Sequence, residues 1–185
     1  MTGISSHVNS FFSSMCWRIG DVLVDPGDEW EGFADVKAVL LTHAHYDHIY
    51  GIDRVLELNP DVTVYTNEEG RGMLFDDRRN MSRYMDVPYR VNPAVRVVTV
   101  ADGETVELGD GLTVRAVFTP GHNASCVTWV TDSYVFSGDS LIPGVKTVTN
   151  LPGGDRRQAA ESEALIRRLA EGRTLCPGHE NNVEC

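Results

Sequence analysis

Short aliphatic and β-branched runs alternate with amphipathic runs from one end of the chain to the other. Residues 14–19 and 22–25 read as two strands of a hairpin that turns at Gly20-Asp21, and Asp25-Pro26-Gly27 breaks the second strand. Residues 36–41 form a compact apolar strand ending at Thr42. Residues 49–58 follow as a helix, with Ile52, Val55 and Leu56 at helical spacing. A strand is expected at 62–65 and a polar helical segment at 67–85. Three strands at 95–100, 105–108 and 112–118 are then separated by Asp102-Gly103 and Gly109-Asp110-Gly111. Residues 125–130 and 134–137 read as another hairpin. The clearest helix is 155–171, where Asp155 caps the first turn, Gln158 stands three residues on, and Leu165, Ile166 and Leu169 make an apolar stripe. A short strand at 174–176 ends the pattern. No repeat, low-complexity tract or dividing linker interrupts it, so residues 1–185 are expected to fold as one domain of mixed α and β structure.

Composition narrows the classes. A chain of 185 residues is long enough to bury a core without disulfides, and 23% charged residues is ordinary for a globular protein. The net charge of -11 argues against nucleic acid and anionic membrane as partners, since both select a basic face. The apolar runs are too short to span a bilayer, and the first ten residues lack the basic start and apolar stretch of a secretory signal. Cys16, Cys126, Cys176 and Cys185 form no C-x-x-C pair, so a reducing, cytoplasmic setting with buried or incidental thiols is the default expectation. Oligomeric state leaves no mark in the sequence.

The chemistry concentrates after the 36–41 strand, in Thr42-His43-Ala44-His45-Tyr46-Asp47-His48. Imidazole nitrogen and carboxylate oxygen are ligands for zinc and for non-haem iron or manganese. In an extended segment His43 and His45 point the same way and can share one ion. Asp47 and His48 lie beyond the bend and can face a second. Three more strands end in ligand-bearing turns: Thr119-Pro120-Gly121-His122, Ser137-Gly138-Asp139-Ser140 and Cys176-Pro177-Gly178-His179. Of six histidines, only His7, in a start read as irregular, falls outside these motifs. Isolated histidines are more often caps or satisfied core groups. Seven such residues buried together without an ion would be costly.

These motifs, in this order, resemble the metallo-β-lactamase superfamily over nearly the whole chain. The resemblance implies a four-layer αββα sandwich with its site at one edge of the two sheets. It assigns His43, His45 and His122 to a first metal, Asp47, His48 and His179 to a second, and Asp139 to a bridge between them. Two divalent ions, zinc or alternatively iron or manganese, would acidify a shared water for attack on a carbonyl or phosphoryl centre. Asp47 is also the candidate catalytic residue, orienting the nucleophile or carrying a proton. Asp25 is either the group that holds a ligand histidine from behind or a turn-forming aspartate.

Asp139 stands where true β-lactamases carry Cys or Ser. The stretch Leu151-Pro152-Gly153-Gly154-Asp155 resembles small glyoxalase II-like thioesterases and the related persulfide dioxygenases, best known for glutathione-derived substrates. A small thioester is therefore the expected substrate. A mononuclear iron oxygenase of the persulfide dioxygenase type, a non-catalytic metal-binding module and a phosphodiesterase are the rivals. Asn123-Ala124-Ser125 departs from the usual Thr-Pro-Gly after His122, and no glutathione contact carries over to a named residue. Arg78 and Arg79, in a segment 68–90 that could cover the site, and Lys146, in the loop after Asp139, are candidates for an anionic substrate group. Their plain alternative is a solvated surface in which acidic neighbours offset the arginines.

Overall fold

The structure is a computed structural model and describes residues 3–180. Eleven strands form two sheets. The first runs β1 (Ile4–Val8), β2 (Met15–Ile19), β3 (Val22–Val24), β4 (Ala38–Leu40), β5 (Thr63–Thr66) and β6 (Arg96–Thr99) in spatial order, antiparallel up to β3 and parallel beyond it. The second places β11 (Thr174–Pro177), β10 (Tyr134–Gly138), β9 (Val127–Val130), β8 (Thr113–Phe118) and β7 (Thr105–Glu107) side by side. Only the β10–β11 pair in it is parallel.

Alternation within each strand builds the layers. In β3 and β4, Val22, Val24, Ala38 and Leu40 face inward to meet Val114, Ala116, Trp129 and Phe136 of the second sheet. Leu23 and Val39 point outward, beneath Ile52 and Val55 of α1 (Ile52–Leu58) and Met73 and Leu74 of α2 (Glu68–Leu74). On the far side Val117, Val130 and Val135 pack under Ile166 of α3 (Arg156–Leu169). Strands buried on both faces have to be apolar throughout, which is why 22–24 and 38–41 read as unbroken hydrophobic runs. The outcome is the expected αββα sandwich. Asp155 caps α3, its carboxylate accepting from the N–H groups of Arg157 and Gln158 at 2.8 and 2.9 Å.

Three segments differ from expectation. The start is not irregular: β1 pairs with β2, His7 lies opposite Cys16, and its ring stacks on Trp30 at 5.6 Å. An edge strand of sequence Ile-Ser-Ser-His-Val has too little apolar alternation to announce itself. The 49–58 helix is a 3-10 turn at Tyr46–His48 followed by α1 from Ile52. The 67–85 helix stops at Leu74, and the chain beyond it is a knot of turns. There Asp77 binds Arg83 at 2.9 Å and Arg90 at 3.0 Å, and Ser82 exchanges hydrogen bonds with the backbone of Tyr89. Charge-paired turns have no periodicity to read. Cys16, Cys126 and Cys176 are buried free thiols, and Cys185 lies outside the described residues.

Candidate metal centre

The two sheets are locked together where their strands end. Trp129 donates its indole N–H to the Leu41 carbonyl at 2.9 Å, the Val127 N–H reaches the Thr42 carbonyl at 2.7 Å, and Ser125 Oγ accepts from Ala44 N–H at 3.1 Å. At this seam the four motifs converge. One atom from each of His43, His45 and His122 lies within 4.8 Å of the others, and so does one from each of Asp47, His48 and His179. Asp139 lies between the two groups. Its carboxylate is 3.6 Å from His122 Nε2 on one side, and 3.3 and 3.5 Å from the Nε2 atoms of His179 and His48 on the other. Gly178 permits this approach, since a Cβ there would collide with the Asp139 carboxylate and the Gly138 backbone.

Each imidazole has a second contact that fixes its orientation. His48 Nδ1 lies 3.0 Å from the Asp25 carboxylate, so its Nε2 faces Asp47, His179 and Asp139. Asp25 is itself buried, adopts a left-handed backbone (φ 52°) and accepts from both the N–H and the hydroxyl of Thr42. Asp25, His43 and His48 are also close enough to share an ion. The Asp25 oxygens are already committed to Thr42 and His48, however, which makes the residue a support. His122 Nδ1 donates to the Val148 carbonyl at 2.8 Å, and His179 Nδ1 to the Phe12 carbonyl at 2.9 Å. His45 meets His122 through Nδ1 at 3.0 Å, and its Nε2 contacts the Asn123 side-chain amide at 3.2 Å. Thr42 Oγ1 lies 3.3 Å from His43 Nδ1.

The donor set fits a pair of divalent cations. Two buried atoms at its centre, His43 Nε2 and Asp139 Oδ1, have no hydrogen-bond partner. Orphaned buried donors and acceptors are costly, and coordination would satisfy both. Ionisation divides the site. Burial, reinforced by neighbouring imidazoles, holds His43 well below the usual histidine value and His45 down at about 4. Burial opposes charge on Asp47 and Asp139 too, yet His48 and His179 keep both below the usual aspartate value. In return these carboxylates overcome burial and raise His48 strongly, and His179 to about 10. Neutral imidazole and ionised carboxylate are the binding forms, so cations and the His48 and His179 protons compete for the same lone pairs.

Above the centre opens a cavity of about 380 Å³. His45, Asp47, His122, Asp139 and His179 form its polar part. Phe11, Phe12, Met81, Met85, Val148 and Leu151, with Tyr46, form the rest.

The sequence profile of the metallo-beta-lactamase superfamily matches residues 11–179, a span that contains all the converging motifs. The chain belongs to the metallo-beta-lactamase superfamily. Among curated superfamily proteins it is 26% identical over 184 residues to a hydroxyacylglutathione hydrolase of Erwinia tasmaniensis, an alignment covering 89% of this chain and 61% of that one. The chain thus spans about three fifths of that relative's length. Among solved structures it resembles the BLEG-1 B3 metallo-beta-lactamase, with a TM-score of 0.80, 25% identity and coverage of 96% and 92% of the two chains. It also shares the fold of TTHA1623, solved in a di-iron-bound form, with a TM-score of 0.75, 24% identity and coverage of 95% and 92%.

Seven expected superfamily ligands, and Asp25 behind them, therefore meet in one place. The three cations named as candidates for an anionic substrate group are not among the described residues that line the cavity. Arg79 pairs with Glu69 at 2.6 Å on the surface, and Arg78 is exposed, its N–H turned to Asp76. Lys146 borders a separate depression together with Arg156 and Glu163. The 68–90 segment does reach the cavity, but through Met81 and Met85. Residue-type reasoning also missed Phe12 and Val148, which hold ligand histidines through backbone carbonyls that any residue could supply. Asn123 was visible only as a departure in the loop after His122.

Proposed function

We propose that this chain is a dinuclear metal-dependent hydrolase of a small, soluble thioester, with no nucleic-acid or membrane partner. The observation that carries this reading is the pair of chelating trios meeting at Asp139, with His43 Nε2 and Asp139 Oδ1 buried and unpartnered between them. His43, His45 and His122 would hold one cation, Asp47, His48 and His179 the other, and Asp139 both. Bound there, two divalent cations supply an acidified water and charge stabilisation for the developing oxyanion.

The chain's own residues set the geometry. Asp25, Asn123 and the carbonyls of Phe12 and Val148 fix ring orientation, and the seam between the sheets holds the ligand-bearing turns rigid. Asp47 lines the cavity with 14% of its side chain exposed, so it is placed to accept a proton from the attacking water. The hydroxyacylglutathione hydrolase relatives support thioester cleavage. The kinship with a B3 metallo-beta-lactamase keeps β-lactams among the substrates to be tried.

The test combines elemental analysis of the purified protein with turnover of thioesters, lactones, β-lactams and phosphodiesters. Two zinc or iron ions per chain and preferential thioester hydrolysis are expected. One iron with oxygen uptake would replace this reading with the dioxygenase, and preferential lactam hydrolysis would replace the substrate class.

A further inference from the structure

We infer that the cavity selects substrates by an uncharged, apolar acyl chain that packs against Phe11, Phe12, Met81, Met85, Val148 and Leu151. The hydrolase reading supplies the bond to be cleaved; the selection rests on the wall alone. Among the described residues, the carboxylates and imidazoles of the cavity are all at the metal centre, and the rest of its lining is apolar or aromatic, with the hydroxyl of Tyr46. Neither Lys nor Arg is among the described lining residues: Arg79 pairs with Glu69 at the surface and Lys146 borders a separate depression. Away from the metal centre, an anionic tail would meet no Lys or Arg among the described lining residues, in a chain that already carries a net charge of -11.

The wall is also built in advance. Phe12 (φ 54°) and Met81 (φ 71°) hold left-handed backbones, which non-glycine residues adopt only when their surroundings require it. Phe12 is kept there with its carbonyl on His179 Nδ1, and Met81 lies between Asn80, whose carbonyl accepts from Tyr46 N–H, and Ser82. Phe12 is nevertheless 67% exposed and Val148 46%. Large apolar side chains fixed around an open cavity are surface that a ligand would remove from water. At a volume of about 380 Å³ the cavity is at the small end for ligand sites and suits a medium-length chain better than a peptide-sized group.

The experiment uses metal-loaded protein and straight-chain hydroxamates of two to eight carbons, titrated by calorimetry beside analogues ending in a carboxylate. Affinity should rise about three- to fourfold per methylene until the cavity is full. The carboxylate-ended analogues should bind more weakly. Phe12→Ala and Met85→Ala should each flatten the slope. Affinity independent of length, no binding along the series, tighter binding of the carboxylate-ended members, or an unchanged slope in both variants would overturn the proposal. Turnover of thioesters with the same chains separates this from the hydrolase reading. Length-dependent affinity without turnover rejects hydrolysis and keeps the apolar selection; turnover indifferent to length does the reverse.

Discussion

Asp25 contacts three groups that matter to the centre: the Thr42 N–H, the Thr42 hydroxyl and His48 Nδ1. Asp25→Asn keeps the shape and tolerates the left-handed backbone, but the residue no longer carries the charge that faces His48. Metal affinity measured by chelator competition should fall by about 10- to 100-fold. An unchanged affinity would mean that packing alone orients the ring. Asp139→Ala is expected to be harsher, because among the described residues Asp139 is the carboxylate that contacts imidazoles of both trios. Metal content and hydrolysis should fall together, and retention of both would remove the bridge. At this scale the sequence was highly informative about ligands and poor about their supports. Metal ligands come from a few residue types, here His and Asp, so clustering such residues at four strand ends reveals them. A supporting carbonyl such as that of Phe12 or Val148 has no residue-type signature. The candidate contacts to an anionic substrate group illustrate a related point. Arginine and lysine attract notice in a sequence, yet on an acidic surface they find partners such as Glu69 before they find a cavity.

Among the elements, the stretch after α2 shows how polar residues do the work of a helix. Asp77 is a buried carboxylate clasped by Arg83 and Arg90, and those two guanidinium groups keep it below the usual aspartate value. The clasp closes the turn that carries Met81 and Met85. A carboxylate with a lowered folded value contributes stability above its unfolded value of about 3.8 and loses that contribution as pH falls below it. Asp77→Asn should therefore speed amide exchange across residues 77–90 at neutral pH. The wild type should approach the variant only in strong acid, and equal protection at neutral pH would show that the hydrogen bonds of Asn80 and Ser82 suffice. Helical length was over-read here because mixed charges mimic a solvated helix. The strands buried on both faces were legible, since no polar residue could be tolerated along them.

For the whole molecule, apolar side chains pack the layers, but the seam between the sheets concentrates seven candidate ligands, among them Asp47 and Asp139 beside several imidazoles. Cations that bind only the folded chain add stability by mass action, about 2.7 kcal/mol when free metal is a hundredfold above its dissociation constant. Stripping them with a chelator should lower the thermal midpoint by roughly 5–10 °C for a chain of this size, with recovery on adding metal back. No change would mean that the ligands are satisfied without ions. Most strands and the long helix were readable from alternation and periodicity, whereas the four-layer order and the site at the edge of the sheets came from the resemblance of the ligand motifs to the superfamily.

The trio of His43, His45 and His122 is complete once residue 122 has been made, whereas the other trio waits for His179, and Asp139 arrives between the two. Synthesis from the amino end therefore finishes one nest long before its neighbour. In a chain emerging from a ribosome every ligand of the first trio precedes His179 of the second, so a cation captured during translation is expected first at His43, His45 and His122.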